Sequence, residues 1–258
     1  MSLVSVTTDG RSALVRLERP EALNALSGAL ADELAERVRE VSEDDSVWVL
    51  ILTGAGDKAF CVGADLKERA GFSLEDFYAN RRQIRALFEA LRKVPQPTIA
   101  AIFGYALGGG FELALSCDLI VAAEGTEMGL PEARVGLLPA GGGTQLLTRR
   151  VGPARAKELI FTGARIDAQR ALELGIVSQV VPRPELEGAA RALAAEICRS
   201  SPIALREAKR AIDSALGVDI DAGIELEHSS WERVIVTEDR AEGIAAFLER
   251  RDPRWRNR

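Results

Sequence analysis

The sequence predicts an α/β fold with a helical C-terminal region, and three observations lead there. Short, β-branched apolar runs such as residues 47–53 (VWVLILT) and 98–103 (TIAAIF) alternate with longer runs whose apolar residues recur at helical spacing. From Pro184 onward no strand pattern returns, and helix formers follow with breaks near Ser200, Gly217 and Thr237. Between the two regimes, residues 101–143 lead a buried strand through a glycine triplet into an apolar helix, and the rest of the chain is organised around that stretch. The expected division is a core over 1–195 and a helical region over 196–258.

Composition narrows the function. With 258 residues and 47% apolar content, the chain can bury a sizeable core. Lys and Arg total 33 against 39 Asp and Glu, a net charge of −6, which argues against a diffuse basic footprint for nucleic acid or anionic membrane. No apolar run approaches the roughly 20 residues a membrane span needs, and the first residues lack a signal-peptide pattern, so a cytoplasmic location is expected. Cys61, Cys117 and Cys198 are widely spaced and read as free thiols. His228 is the only histidine, which leaves no imidazole pair for a metal and no triad near an acid–base centre.

Taken in order, LVSVTT and ALVRLER flank Asp9-Gly10 as a hairpin. Ser27 caps a helix in which Leu30, Leu34, Val38 and Val41 share one face. Residues 47–53 form a strand buried on both sides. Residues 54–59 (GAGDKA) match a dinucleotide fingerprint, but Phe60-Cys61-Val62-Gly63 follow where that motif opens a helix, so a nucleotide site is not expected. Residues 63–69 read as a tight turn into a short helix, with the Ala64 amide and Lys67 near one mouth. Ser73 caps a longer helix to about Lys93, whose stripe of Phe77, Ile84, Leu87, Phe88 and Leu91 is read as core. Residues 118–123 form a strand, 144–151 and 153–161 two helices split at Gly152, Asp167 caps a short helix, and 176–181 close the strand pattern.

The chemistry centres on Gly108, Gly109 and Gly110. A strand that passes through glycines into a helix start leaves main-chain N–H groups pointing outward, which suits developing negative charge. Glu112 falls in the first helical turn of the strongly apolar run ELALSCDLIVAA, where a carboxylate needs a partner or a task. Glu132, after Pro131, returns beside that helix start after one strand. Two facing carboxyls can divide acid and base work, with Glu112 on the helix N-terminus expected to stay ionised and Glu132 to hold a proton.

These residues resemble the enoyl-CoA hydratase/isomerase family, the crotonases, over essentially the whole chain. The matching pieces are RPEALNAL (19–26), FCVGADLKE (60–68), PTIAAIFGYALGGGFELALSCD (97–118), MGLPE (128–132), GGGTQ (141–145) and TEDRAEGIAAFLERR near the end. The resemblance implies a spiral of ββα turns, a C-terminal helical trimerisation region in homotrimers or homohexamers, acyl-CoA thioesters as substrates, and no cofactor beyond the CoA of the substrate. Carried over by position, it implies that the amides of Ala64 and Gly109 form an oxyanion hole, with Glu112 as base and Glu132 as acid in hydrating a trans-2-enoyl-CoA. It places Ala22, Leu23, Val62, Asp65, Leu66 and Lys67 along the CoA chain. Val62 stands where the family has a smaller residue and Ala140 where it has glycine, although alanine still offers its N–H.

Family members that only shift a double bond can manage with the carboxyl at the Glu132 position, so both glutamates favour hydration over isomerisation. Through GADLKERA and AKELIF the chain is also similar to methylglutaconyl-CoA hydratases, a branch also described as binding RNA. An RNA site would draw on Arg81, Arg82, Arg85, Arg92 and Lys93; the acidic whole and the absence of interleaved aromatics favour a solvated face.

Overall fold

The computed structural model describes residues 2–258. The chain opens as the expected hairpin, with β1 (Val4–Asp9) antiparallel to β2 (Ser12–Leu17) and Gly10 at φ +56° in the turn. Helix α1 (Gly28–Glu43) starts at Ser27, whose hydroxyl accepts from the Leu30 N–H. The chain then makes three successive strand–strand–helix turns. The first runs through β3 (Val49–Gly54), β4 (Ala59–Cys61), α2 (Leu66–Arg69) and α3 (Leu74–Arg92). The second is β5 (Thr98–Ile102), β6 (Tyr105–Leu107) and α4 (Gly109–Leu115). The third is β7 (Leu119–Ala123), β8 (Glu127–Gly129), α5 (Gly143–Val151) and α6 (Pro153–Thr162). Strand β9 (Arg165–Asp167), α7 (Ala168–Glu173), β10 (Gln179–Val181) and helices α8 (Leu186–Ile197), α9 (Pro202–Ala215), α10 (Ile220–Ile235) and α11 (Glu238–Glu249) complete the chain.

The first strand of each turn joins one six-stranded sheet, ordered β1-β2-β3-β5-β7-β10, and the second joins a four-stranded sheet, ordered β4-β6-β8-β9. This is the ββα spiral that the resemblance implied. The large sheet is parallel from β2 onward and its central strands are buried on both faces, hence their continuous apolar runs. The small sheet was missed in reading the sequence. Its strands are three residues each, too short to show periodicity.

Helix α8 packs against the large sheet through Leu186, Ala190 and Ala194, so residues 195 and 196 fall inside one core helix and the change of character comes after it. Beyond it, Lys209 on α9 reaches Asp118 Oδ2 at 2.7 Å, and that oxygen also accepts from Thr98 N at 2.7 Å. The tail is therefore tethered to the starts of β5 and β7. Asp239, 1% exposed, accepts from Ser201 Oγ and from the amides of Arg256 and Asn257, which pins the C-terminus. Outward from α9, α10 and α11 project Ile212, Ile224, Trp231 and Phe247, all exposed. Among the described residues no helix is long and apolar enough to cross a membrane.

One buried side chain ties the first turn of the spiral together. Asn24, fully buried in the left-handed region at φ 53°, donates from Nδ2 to the carbonyls of Ala55 and Ala59 and accepts the Arg19 N–H on Oδ1, each at 3.0 Å. Substituting Asn24→Ala strands two buried carbonyls and keeps a strained φ, and is expected to cost about 2–4 kcal/mol. Urea unfolding measures it; a loss below about 0.5 kcal/mol would show that the segment is held by other contacts.

Candidate active site

Two loops from different turns of the spiral meet at the centre of the molecule. Gly63, at φ +87°, lies so close to the second turn that an added Cβ would sit 2.8 Å from Leu107 O and 3.0 Å from Gly109 N. That contact brings the Ala64 amide beside the first amide of α4. Among the described residues neither the Ala64 nor the Gly109 N–H has a main-chain acceptor. The 62–65 segment is braced by a ladder to the 23–26 segment: Val62 N donates to Leu23 O at 3.3 Å, Leu26 N to Gly63 O at 2.7 Å and Asp65 N to Leu26 O at 3.0 Å. Asp65 caps α2 and pairs with Arg19 at 2.7 Å. Burial alone would raise its pKa, but Arg19 and the Glu68 and Lys67 amides outweigh burial and hold it below the usual carboxylate range.

The two glutamates flank this pair of amides in unlike surroundings. Glu112 is 3% exposed, and its Oε1 accepts from the amides of Gly141 and Gly143 at 2.7 Å each. Burial raises its pKa above the usual carboxylate range against the opposing pull of those amides, for which Oε1 is the acceptor. The donors come from the loop before α5 and from the first residue of α5, not from the start of Glu112's own helix, where the sequence pointed. Glu132 lies against the glycine turn at Gly108, where an added Cβ would sit 2.9 Å from Glu132 Oε1. Its Oε2 is buried without a partner among the described residues. Burial, and secondarily the charge of Glu112, push its pKa up to about 7.

The loop that holds Glu112 is itself held. Gly141 has no room for a side chain, because a Cβ there would meet the Phe88 ring at 2.4 Å and Glu112 Oε2 at 2.8 Å. From α3, Arg92 donates to Gly141 O at 3.0 Å and Arg81 to Ala140 O at 2.7 Å. The basic helix is thus partly committed within the fold, and Lys93 pairs with Glu89.

A cavity of about 460 Å³ opens onto both carboxyls. Val62, Ala64, Leu66, Gly109, Glu112 and Glu132 line it; Ala22 and Leu23, half-buried, Asp65, buried, and Lys67, exposed, do not. Of the α3 stripe, Ile84, Leu87, Phe88 and Leu91 are buried in the core as expected, Ile84 and Phe88 at its border with the cavity, whereas Phe77 is exposed and lines the cavity instead. Periodicity identifies an apolar face without saying whether protein or ligand covers it. Arg69, Leu137 and Leu138 also line the cavity and were not anticipated. Residues 54–59 lead into β4 instead of a helix, so the fingerprint geometry for a dinucleotide is absent. His228 lies exposed on α10, stacked on Trp231. Among the described residues no group of three or more His, Cys, Asp or Glu is placed to hold a metal ion.

Comparison with known proteins adds to this geometry. The family model described as "Enoyl-CoA hydratase/isomerase" matches residues 8–258. A human protein named enoyl-CoA hydratase domain-containing protein 2, mitochondrial, is 46% identical over 245 residues, 93% of this chain and 84% of the relative. The mitochondrial enoyl-CoA hydratase of Pongo abelii is 40% identical over 95% of this chain and 83% of its own length. Among solved structures, an enoyl-CoA hydratase from Bacillus anthracis superposes with a TM-score of 0.97 at 46% identity, covering 99% of this chain and 100% of that one. One from Mycobacterium tuberculosis gives 0.91 at 36% identity, with both chains fully covered.

The raised Glu132 pKa carries a consequence for stability. A carboxyl whose folded pKa lies above its unfolded value imposes no penalty below pH 4.5 and its full penalty above about pH 7, because ionisation is then disfavoured only in the folded state. Replacing Glu132→Gln is therefore expected to stabilise the fold by about 1–2 kcal/mol at pH 8, after allowance for solvent screening of this half-buried group, with the gain vanishing near pH 4.5. Thermal melts at the two pH values check this, and an equal shift at both would contradict it.

Proposed function

This chain belongs to the enoyl-CoA hydratase/isomerase family, and we propose that within it the protein adds water across the 2,3 double bond of a trans-2-enoyl-CoA to give a 3-hydroxyacyl-CoA. The observation that carries this reading is the pairing of two carboxyls in unlike surroundings at one mouth, one held by amide donors and one with its pKa near 7.

In this reading the thioester oxygen accepts from Ala64 N–H and Gly109 N–H. A water lies between the glutamates. Glu112, as carboxylate, takes a proton from that water as its oxygen bonds to C3; the π electrons move to C2 and onto the thioester oxygen, forming an enolate. The two amides stabilise that charge, and one such donor is worth about 2.7–4 kcal/mol. Glu132, carrying a proton, delivers it to C2 as the enolate collapses. Proton exchange between the glutamates and solvent restores the starting state, and because two such carboxyls titrate as a pair, the resting proton belongs to both. No cofactor takes part. The exposed apolar faces of α9, α10 and α11 support self-association into a trimer or a pair of trimers.

Crotonyl-CoA is expected to lose its enoyl absorbance on mixing with the protein, and Glu112→Gln and Glu132→Gln are each expected to lower kcat by about 10²- to 10⁴-fold. Wild-type protein that leaves crotonyl-CoA untouched but converts 3-enoyl-CoA to 2-enoyl-CoA, with Glu112→Gln fully active, would establish isomerisation instead.

A further inference from the structure

No residue of α5 lines the cavity, yet this helix touches Glu112 at one end and carries a half-buried arginine near the other. Arg150 donates from Nη1 to Ile176 O at 3.0 Å and from Nη2 to Leu115 O and Cys117 O at 3.2 and 2.7 Å. Among the described residues no loop or cap N–H donates to any of these three carbonyls. Leu115 ends α4 and Cys117 follows it closely, so the guanidinium covers carbonyls that a helix C-terminus leaves open, with the sign of charge that this end favours. The acid near it, Asp118, is taken up by Thr98 and Lys209. Burial lowers the pKa of Arg150 below the usual guanidinium range. A cation held among carbonyls in this way is costly unless the contacts it makes are needed.

The other end of α5 answers to α4 in turn. No side chain at Gly142 caps α5, and its first N–H, from Gly143, donates to Glu112 Oε1 at 2.7 Å. Through Glu112, α4 therefore caps the start of α5. Through Arg150, about 10 Å further along the axis, α5 caps the end of α4. There is little slack at the Glu112 end, since a Cβ added to Gly143 would sit 2.9 Å from Glu112 Oε1 and from Leu130 and Pro139.

Resting on the reading of Glu112 as the base, we propose that Arg150 is a positioning residue for hydration, locking α5 against α4 so that the Gly143 N–H stays on the Glu112 carboxylate and the Gly109 N–H stays at the mouth. A guanidinium suits the task, because its planar fork spans the end of α4 and the Ile176 carbonyl at once. Without it α5 is free to slide along α4, and the hydrogen bond that α5 gives Glu112 lengthens. The cavity keeps its lining, so substrate binding is spared while the chemical step is not.

The test uses Arg150→Met and Arg150→Lys, with rates on crotonyl-CoA referred to the folded fraction measured by circular dichroism at each pH. Arg150→Met is expected to lower kcat by about 10- to 100-fold while KM stays within about twofold of wild type. A carboxylate that loses an amide donor titrates higher, so the Glu112 carboxyl signal in NMR and the acidic limb of kcat should both move to higher pH. The charged groups facing Glu112 from other elements, Arg81 on α3 and Glu132 beside Gly108, are the same in every variant. Arg150→Lys keeps the charge without the fork, and should show the same changes at smaller size. An Arg150→Lys protein with wild-type kcat and wild-type Glu112 titration would overturn the proposal, since Arg150 would then act through its charge alone or not at all. A loss carried by KM with kcat unchanged would also overturn it. Should Arg150→Met fail to fold, Arg150→Lys decides alone. The Glu112 titration is read without turnover, so protein that hydrates no enoyl-CoA would refute the hydratase reading and leave that titration to decide whether Arg150 holds Glu112 in place.

Discussion

A carboxylate placed where water scarcely reaches must be given donors by the protein, and Glu112 receives two, from the amides of Gly141 and Gly143 at 2.7 Å. Much of the site's construction follows from that requirement. The donating loop must pass close to both Phe88 and the carboxylate, which only glycine allows at position 141. Its carbonyls then face α3, where Arg92 and Arg81 take them up. A helix that looks from its composition like a solvated basic surface thus lines the cavity on one side and holds the loop behind Glu112 on the other.

The spiral supplies the second constraint. Because the first and second turns touch at Gly63 and Gly108–Gly109, two main-chain amides from chain segments far apart in sequence come to one place without any side chain between them. Asn24 and the Arg19–Asp65 pair hold the outer face of that junction. Glu132 arrives from the third turn beside Gly108, where its own burial and the negative charge of Glu112 favour the protonated form. Its unlike pKa needs no special donor or acceptor; it follows from being the less well-supplied member of a like-charged pair.

Much of this was legible in the residues. The long strands, the caps at Ser27, Ser73 and Asp167 and the C-terminal helices each have local signals, and the structure agrees. The second sheet was not legible from periodicity, because three-residue strands carry none; it came only with the family resemblance. Of the residues placed along the substrate, Val62, Ala64, Leu66, Gly109, Glu112 and Glu132 line the cavity. Asp65 pairs through its carboxylate with Arg19 and caps α2. The supports of Glu112 and the unpartnered Nδ2 of Asn80 were hidden, since they depend on which groups meet once the chain is folded.

The central claim is that the paired glutamates share one proton near neutral pH, with Glu132 holding it. Carbon-detected NMR of side-chain carboxyls in protein labelled at glutamate, assigned through Glu112→Gln and Glu132→Gln, reads each protonation state directly. The account predicts that at pH 6 the Glu132 carboxyl is mainly protonated while Glu112 is ionised, and that Glu132 titrates around pH 7. Two ionised carboxyls at pH 6, or a proton held on Glu112 with Glu132 ionised, would contradict it.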